Sequence, residues 1–402
     1  MTRHDQAMAT NLPFPKQYGT ELLVISRGSG VWLEDAAGKK YLDFAGGIAV
    51  NALGYGRRDI ARTAYRQMKR LPHISNLFAT EPALALARAM LATGPFRFSA
   101  VFFGNSGAEA NEAALKYARL YALRTRGPGH ERLLCFSGAF HGRTMGALSC
   151  TPTEKYQEPF RPLLPGVCVA PYNDVAALER ALSSDFAGAI VEVIQGEGGL
   201  VSMAPEFAQA LNQACRKTGA ILIADEVQTG MARTGAFYAS EDVGLEPDII
   251  TLAKPLAGGL PLSAALIPEK IDVLIHQGDH GTTFGGGPVT TAVACKVWET
   301  VSDPGFIAKV RERGECLRSE LEGLKKRHAC VGELRGRGLL QGFEYARGVG
   351  DPNDVKDLLG QLQARGLLAL RSGTNVVRLA PPLVITEKEI RKGIGIIEKE
   401  LQ

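Results

Sequence analysis

The 402-residue chain lacks the marks of several large protein classes. No window of ~18 consecutive residues is apolar, so no membrane-spanning helix is expected. Residues 1–11 hold no apolar segment of the kind a secretory leader carries, and none is expected to be cleaved. There is no basic tract with interleaved aromatics, and the formal net charge is only +4, so nucleic acid is not an expected partner. The seven cysteines form no C-x-x-C pair and most sit in apolar runs. That argues against a disulfide framework or a zinc site, and for free thiols in a reducing, cytoplasmic setting. The dinucleotide fingerprint G-x-G-x-x-G, with an acidic residue ~20 positions on, is also missing, which argues against a dehydrogenase. What remains is an ordinary globular composition, 45% hydrophobic and 22% charged, long enough for two or three domains with sizeable cores.

The apolar pattern divides the chain. Residues 1–30 carry little periodic signal. Residues 31–44 read as a hairpin around Ala37-Gly38, and 46–51 as a glycine-opened loop. Helical patterns at 59–70 and 82–91 are separated by a break at 71–78. From residue 99, strand, turn and helix alternate. Strands are expected at 100–103, 133–136, 167–170, 189–194, 221–224 and 247–252, and helices at 108–124 and 205–217. Such alternation implies an α/β fold with a mostly parallel, doubly wound sheet. After Pro288 the pattern becomes a smaller α+β unit. The expected division is an N-terminal segment and hairpin (1–50) packing with the small domain, a large domain (51–290), and a small C-terminal α+β domain (291–402).

Two strand ends carry chemistry. The apolar run 220–224 ends in Asp225. The run 247–252 leads to Lys254, followed by Pro255 and a glycine turn at 258–259. A lysine between an apolar strand and a glycine turn is poorly solvated, which lowers its pKa and favours the neutral amine. Taken alone, it reads more simply as a surface lysine at a strand end. The aspartate 29 positions earlier, also at a strand's carboxyl end, changes that reading. Doubly wound sheets bind ligands at this edge. A lysine that can hold an aldehyde, beside an aspartate that can keep a pyridine nitrogen protonated, is what pyridoxal phosphate requires. Ser106 and Glu109 have the S-x-x-E spacing of a capping box. The small residues Gly107 and Ala108 beside them leave backbone N–H groups free for a phosphate, or merely open a helix. Phe140 follows a strand end and can cover a flat ring, and Arg143 can grip a carboxylate bidentately. Glu197 stands among glycines at another strand end. Arg378 lies in an apolar run and needs a partner, for which Glu197 is the candidate.

These stretches together resemble the class III family of pyridoxal-phosphate aminotransferases, of fold type I. The resemblance runs from Gly30 to about Val384. It is carried by residues 41–50, 73–78, 105–112, 140–144, 163–166, 195–199, 225–230, 251–254 and 278–286. It implies that Lys254 holds the cofactor and then moves a proton between substrate and cofactor. Asp225 would pair with the pyridine nitrogen and Gln228 with the ring hydroxyl. Phe140 and Val227 would sandwich the ring, and Ser106, Gly107 and Ala108 would bind the phosphate. Thr283 would bind the phosphate in a neighbouring subunit's site, which implies a homodimer.

The same resemblance, greatest to members acting on N-acetylornithine, sets the substrate expectation. Such enzymes take two partners in turn. Arg143 would bind the distal carboxylate of both. Arg378 would bind the carboxylate of glutamate or 2-oxoglutarate nearest the reacting carbon, with Glu197 neutralising it while the first substrate is bound. Ile48 stands where relatives acting on free ornithine carry a tyrosine, and isoleucine suits an acylated nitrogen. The implied reaction moves the terminal amine of N-acetylornithine to 2-oxoglutarate, a step of arginine biosynthesis. N-succinylornithine, an acyl-lysine precursor or 4-aminobutyrate are alternative donors. Four places depart from the family pattern: Val193 for a proline, Tyr55-Gly56-Arg57 for His-x-His-Pro, Gly287 for an asparagine, and Met231-Ala232-Arg233 for Gly-x-Arg. They surround the site and bear on substrate preference, not reaction type.

Overall fold

The computed structural model describes residues 8–10, 13–19, 21–346 and 354–402. A short ladder, Met8–Thr10 with Glu21–Leu23, precedes strands β1 (Ile25–Ser29), β2 (Trp32–Asp35) and β3 (Lys40–Asp43). The 31–44 hairpin is present as β2 and β3. The strand before it escaped the sequence pattern because its Ser-Arg-Gly-Ser composition has no alternation and it lies exposed at a sheet edge.

Helices α1 (Arg58–Arg70) and α2 (Glu81–Leu91) lead into β4 (Ala100–Gly104), α3 (Gly107–Arg126), β5 (Arg132–Phe136), β6 (Val167–Ala170) and β7 (Phe186–Glu192). Helix α4 (Pro205–Thr218) and strands β8 (Ile221–Asp225), β9 (Ile249–Leu252) and β10 (Ser263–Ile267) follow. The seven strands form one sheet in the order β4-β10-β9-β8-β7-β5-β6. Strand β10 is antiparallel to both neighbours, and every other pairing is parallel. Strand β10 was not expected; its Ser-Ala-Ala-Leu-Ile run has little intrinsic strand preference, and burial between two neighbours decides it. The expected strand at 189–194 is shifted: β7 ends at Glu192, and Ile194–Gln195 pairs instead with Val201–Ser202.

Successive side chains point to opposite faces of this sheet. Leu133, Cys135, Ile221, Ile223 and Ile249 pack against α3 on one face. Leu134, Phe136, Leu222, Ala224 and Ile250 pack with α4 residues Phe207 and Leu211 on the other. Both faces are buried, which is why these strands read as continuous apolar runs. Helix α5 (Pro288–Val301) adds Val293, Val297 and Trp298 to this core.

The rest of the chain runs through α6 (Pro304–Arg327), β11 (Val331–Arg337), β12 (Leu340–Tyr345), α7 (Asp354–Ala364), β13 (Leu367–Leu368), β14 (Leu370–Ser372), β15 (Val376–Leu379) and α8 (Glu387–Leu401). One four-stranded sheet has the order β11-β12-β15-β14, and another has β13-β3-β2-β1. The pairing of Leu367 with Leu42 ties the N-terminal hairpin to this part. Val31, Leu42 and Phe44 share a core with Leu317, Phe343, Leu379 and Ile394. All seven cysteines are free thiols. No helix of the described residues is long and apolar enough to cross a membrane.

Candidate active site

The parallel register places Glu192, Asp225 and Thr251 side by side at the carboxyl ends of β7, β8 and β9. Lys254 follows β9 by two residues, so it rises from the same edge. Burial lowers its pKa, and the Arg378 charge lowers it further against the opposing pull of Asp225, Glu197 and Glu192. The expectation of a poorly solvated, readily neutralised amine is met physically.

Asp225 is buried and held on every side. Its Oδ2 accepts from Asn111 Nδ2 at 2.8 Å and from His141 Nδ1 at 2.7 Å, and its Oδ1 accepts from the Val227 amide at 3.0 Å. Asn111 cannot turn over, because Thr251 Oγ1 donates to its Oδ1 at 2.7 Å and its Nδ2 also reaches the His141 carbonyl. Both oxygens therefore have fixed donors, which set the orientation of the carboxylate. His141 sits buried with its pKa raised: burial opposes the charge, but the hydrogen bond and charge of Asp225 overcome it. Asn111, Thr251 and His141 were not singled out from the sequence. The one legible signal was a polar residue, Asn111, on the alanine-rich buried face of α3.

Glu192 was missed as well. Its carboxylate accepts from the Phe140 amide at 2.8 Å and the Gly196 amide at 3.1 Å, so it fixes both loops that border Asp225. Burial pushes its pKa up to about 7, and burial does the same to Glu226, which accepts from the Ala239 and Ser240 amides. A carboxyl group whose folded pKa is raised contributes stability that is complete below the unfolded pKa and is lost as pH rises through the folded value. His141, raised above its ordinary value, acts in the same direction. Lys254, whose pKa is lowered, acts in the opposite direction, so the test is a comparison: between about pH 5 and about pH 8 the thermal midpoint of the cofactor-free parent should fall relative to that of cofactor-free Glu226→Gln. A midpoint that rises relative to the variant over that span would contradict the assignment of Glu226.

At the start of α3, Ser106 caps the helix and accepts from the Glu109 amide at 3.3 Å. The expected capping box is only half formed. Glu109 turns instead to the Asn105 amide and side chain, both at 2.8 Å, because Asn105 offers two donors in one place. The first N–H groups of α3 have no partner within the helix. A β-carbon added at Gly107 would lie 2.7 Å from Val227, and one at Gly142 would lie 2.7 Å from Ala108. The helix start thus closes directly on the loop after Asp225, and only glycine permits that approach.

Phe140 is half-buried beside this wall. The exposed Arg143 lies with its guanidinium 3.6 Å from the Tyr156 ring centre and 5.6 Å from that of Phe140. Arg378 and Glu197 are brought together: Arg378 Nη1 donates to Glu197 Oε1 at 2.5 Å, to the Gly196 carbonyl at 2.8 Å and to Gln228 Oε1 at 3.2 Å. Arg378 is 3% exposed, and its Nε has no partner among the described residues. Gln228 is buried against Gly196 and Arg378. Thr283 is exposed; its neighbour Thr282 lies 3.4 Å from Asn105 Nδ2. Ile48 is half-exposed on a left-handed turn, Gly46–Ala49.

These residues fit pyridoxal phosphate. A buried carboxylate oriented by fixed donors suits a pyridinium nitrogen, an amine with depressed pKa suits the aldehyde, and a glycine-lined helix start suits the phosphate. Fold and site together define a pyridoxal-phosphate aminotransferase. Three comparisons agree. The model of the family described as aminotransferase class-III matches residues 14–401. A probable mitochondrial acetylornithine aminotransferase of Dictyostelium discoideum is 42% identical, over 94% of this chain and 83% of its own. An acetylornithine aminotransferase of Caldanaerobacter subterraneus subsp. tengcongensis is 40% identical over 94% of each chain. The crystal structure of the ornithine aminotransferase of Toxoplasma gondii superimposes with a TM-score of 0.88 at 32% identity, covering 100% of this chain and 95% of that one. The chain belongs to the class-III aminotransferase family, and its cofactor is pyridoxal phosphate.

Proposed function

We propose that the enzyme moves the terminal amino group of N-acetylornithine to 2-oxoglutarate, giving N-acetylglutamate 5-semialdehyde and glutamate in arginine biosynthesis in the cytoplasm. The observation that carries this reading is the Arg378–Glu197 pair, bonded at 2.5 Å and placed beside the edge that bears Lys254. A dual-substrate site needs one cation hidden from the first substrate and offered to the second, and a pair whose carboxylate is one-third exposed can open. The acetylornithine aminotransferases among the relatives support the donor.

The cofactor, when bound, supplies the electron sink for transfer of the amine. Lys254 would hold it and carry the proton at the reacting carbon. Asp225 would keep the ring nitrogen protonated, with Asn111 and His141 fixing the position of its carboxylate. Phe140 and Val227 would flank the ring, Gln228 would lie toward its hydroxyl, and Ser106, Gly107 and Ala108 would receive the phosphate. Arg143, free to leave the Tyr156 ring, would bind the distal carboxylate. Ile48 would face the acylated nitrogen.

A homodimer in which Thr283 completes the neighbouring site belongs to the same proposal. Leu77, Phe78 and Phe284 are all more than 60% exposed, and Asn76 bonds to the Thr282 and Gly285 carbonyls, so an apolar patch surrounds Thr283. Such a patch suits a second copy. The division into an N-terminal segment, a large cofactor-binding domain and a small C-terminal domain is also proposed, with its second boundary moved from near 290 to after α5, whose apolar face lies in the larger core.

The test is a donor panel with 2-oxoglutarate, measuring glutamate formed. N-acetylornithine should exceed free ornithine and 4-aminobutyrate; a preference for 4-aminobutyrate would overturn the donor. Glu197→Gln should separate the two half-reactions. With Arg378 left uncompensated, KM for 2-oxoglutarate should fall while that for N-acetylornithine rises, shifting their ratio by about tenfold. Equal changes in both would remove Glu197 from this role.

A further inference from the structure

Gly46, Gly47, Ile48 and Ala49 all have φ between 59 and 65°, a left-handed turn in which a β-branched residue is strained. Such a conformation persists only where the surroundings over-determine it. Besides the turn's own backbone hydrogen bonds, one source of the constraint is Asp43, which is 1% exposed. Its Oδ1 accepts from the Ala45 and Gly46 amides, each at 2.9 Å, and so fixes the entry to the turn. Its Oδ2 accepts from the Tyr55 hydroxyl at 2.6 Å. Asn51, at the exit of the turn, donates to the same hydroxyl at 3.2 Å. Tyr55 therefore bonds to both flanks of the turn through one oxygen.

That oxygen is itself rigidly placed. Tyr55 and Gly30 exchange two backbone hydrogen bonds, at 3.0 and 2.8 Å, and a β-carbon at Gly28 would meet the Tyr55 ring at 2.6 Å. The turn lies between two walls of the site. A β-carbon at Gly46 would lie 2.5 Å from the Ala380 carbonyl, two residues beyond Arg378. Asn51 Oδ1 is 3.2 Å from the corresponding position at Gly259, in the turn after Lys254. Ile48, on the same turn, is 48% exposed.

We infer that Tyr55 is a positioning residue for donor specificity: through Asp43 and Asn51 it locks the left-handed turn that presents Ile48. The inference rests on the proposed role of Ile48 toward an acylated donor. Tyr55 touches no reacting atom. Without its hydroxyl, Asp43 loses one of its three donors and Asn51 its link to Asp43, and the strained turn can relax.

The test uses the holoenzyme and Tyr55→Phe, which keeps the ring that packs on Gly28. KM for N-acetylornithine should rise ~10-fold with kcat nearly unchanged, and the preference for N-acetylornithine over ornithine should fall by a similar factor. Hydrogen exchange of the peptide spanning residues 44–51 should quicken. In an Ile48→Ala background the same change should alter the preference less than about twofold, because the two residues act in series. Unchanged preference in Tyr55→Phe, or an equal loss in both backgrounds, would overturn the inference. If the parent enzyme shows no preference for the acylated donor, the reading of Ile48 fails instead; the exchange measurement still tests whether Tyr55 holds the turn.

Discussion

Lys254→Ala is expected to lose transamination by at least about 10^4-fold and to lose the visible absorption band of the bound cofactor. No other amine among the residues that frame the site stands at the end of a central strand. The neighbouring Thr251, Asn111 and Asp225 bond to one another without Lys254, so the edge of the sheet should survive the change. The lysine's pKa is depressed in the folded protein, so its charged form is disfavoured there relative to the unfolded chain. That cost applies below the folded pKa and disappears as pH rises toward the unfolded value. The cofactor-free variant should thus unfold at pH 7 no more easily than the cofactor-free parent. Activity retained within tenfold would remove Lys254 from the chemistry, and a large loss of thermal stability would show that the residue is structural.

Asp225→Asn should lower kcat/KM by about 10^2- to 10^3-fold and weaken retention of the cofactor. The change is nearly isosteric, so its effect is electrostatic. Asp225 accepts from three protein donors, namely Asn111 Nδ2, His141 Nδ1 and the Val227 amide. An asparagine cannot accept at both positions. Its NH2 group must confront either the Asn111 and His141 donors or the Val227 amide, and it offers no negative charge to a pyridinium nitrogen. Asn111→Leu should give a milder loss of the same kind, because it removes one donor and leaves the carboxylate. An Asp225→Asn variant with parental activity would show that charge at this position is irrelevant.

Much of the large sheet could be read from residue pattern, because strands buried on both faces appear as short continuous apolar runs, as in 221–224 and 249–252. Strand β10 could not, since its alanines favour no particular structure until neighbours bury them. The pairing of Arg378 with Glu197 was legible because an arginine in an apolar run requires a partner. Glu192 was not, since a carboxylate at a strand end looks like a solvated position until the register brings Asp225 and Phe140 beside it, and Asn111 showed only as a polar residue on an alanine-rich helix face, without its partners Asp225 and Thr251. At residues 46–49 the two glycines signal a turn, but the positive φ of Ile48 and Ala49 runs against their own preferences. The buried Asp43 and its link to Tyr55 help to account for it, and these partners lie 12 positions apart.

A single half-reaction tests the central claim most directly. The purified holoenzyme is mixed with N-acetylornithine, N-succinylornithine, free ornithine or 4-aminobutyrate in turn, without any keto acid, and the cofactor's absorption is followed. Rapid conversion to the amine form by N-acetylornithine, with free ornithine much slower, is the predicted result. Conversion by 4-aminobutyrate alone would contradict the donor, and a parent protein that binds the cofactor without its Lys254-dependent band would contradict the account from its first residue onward.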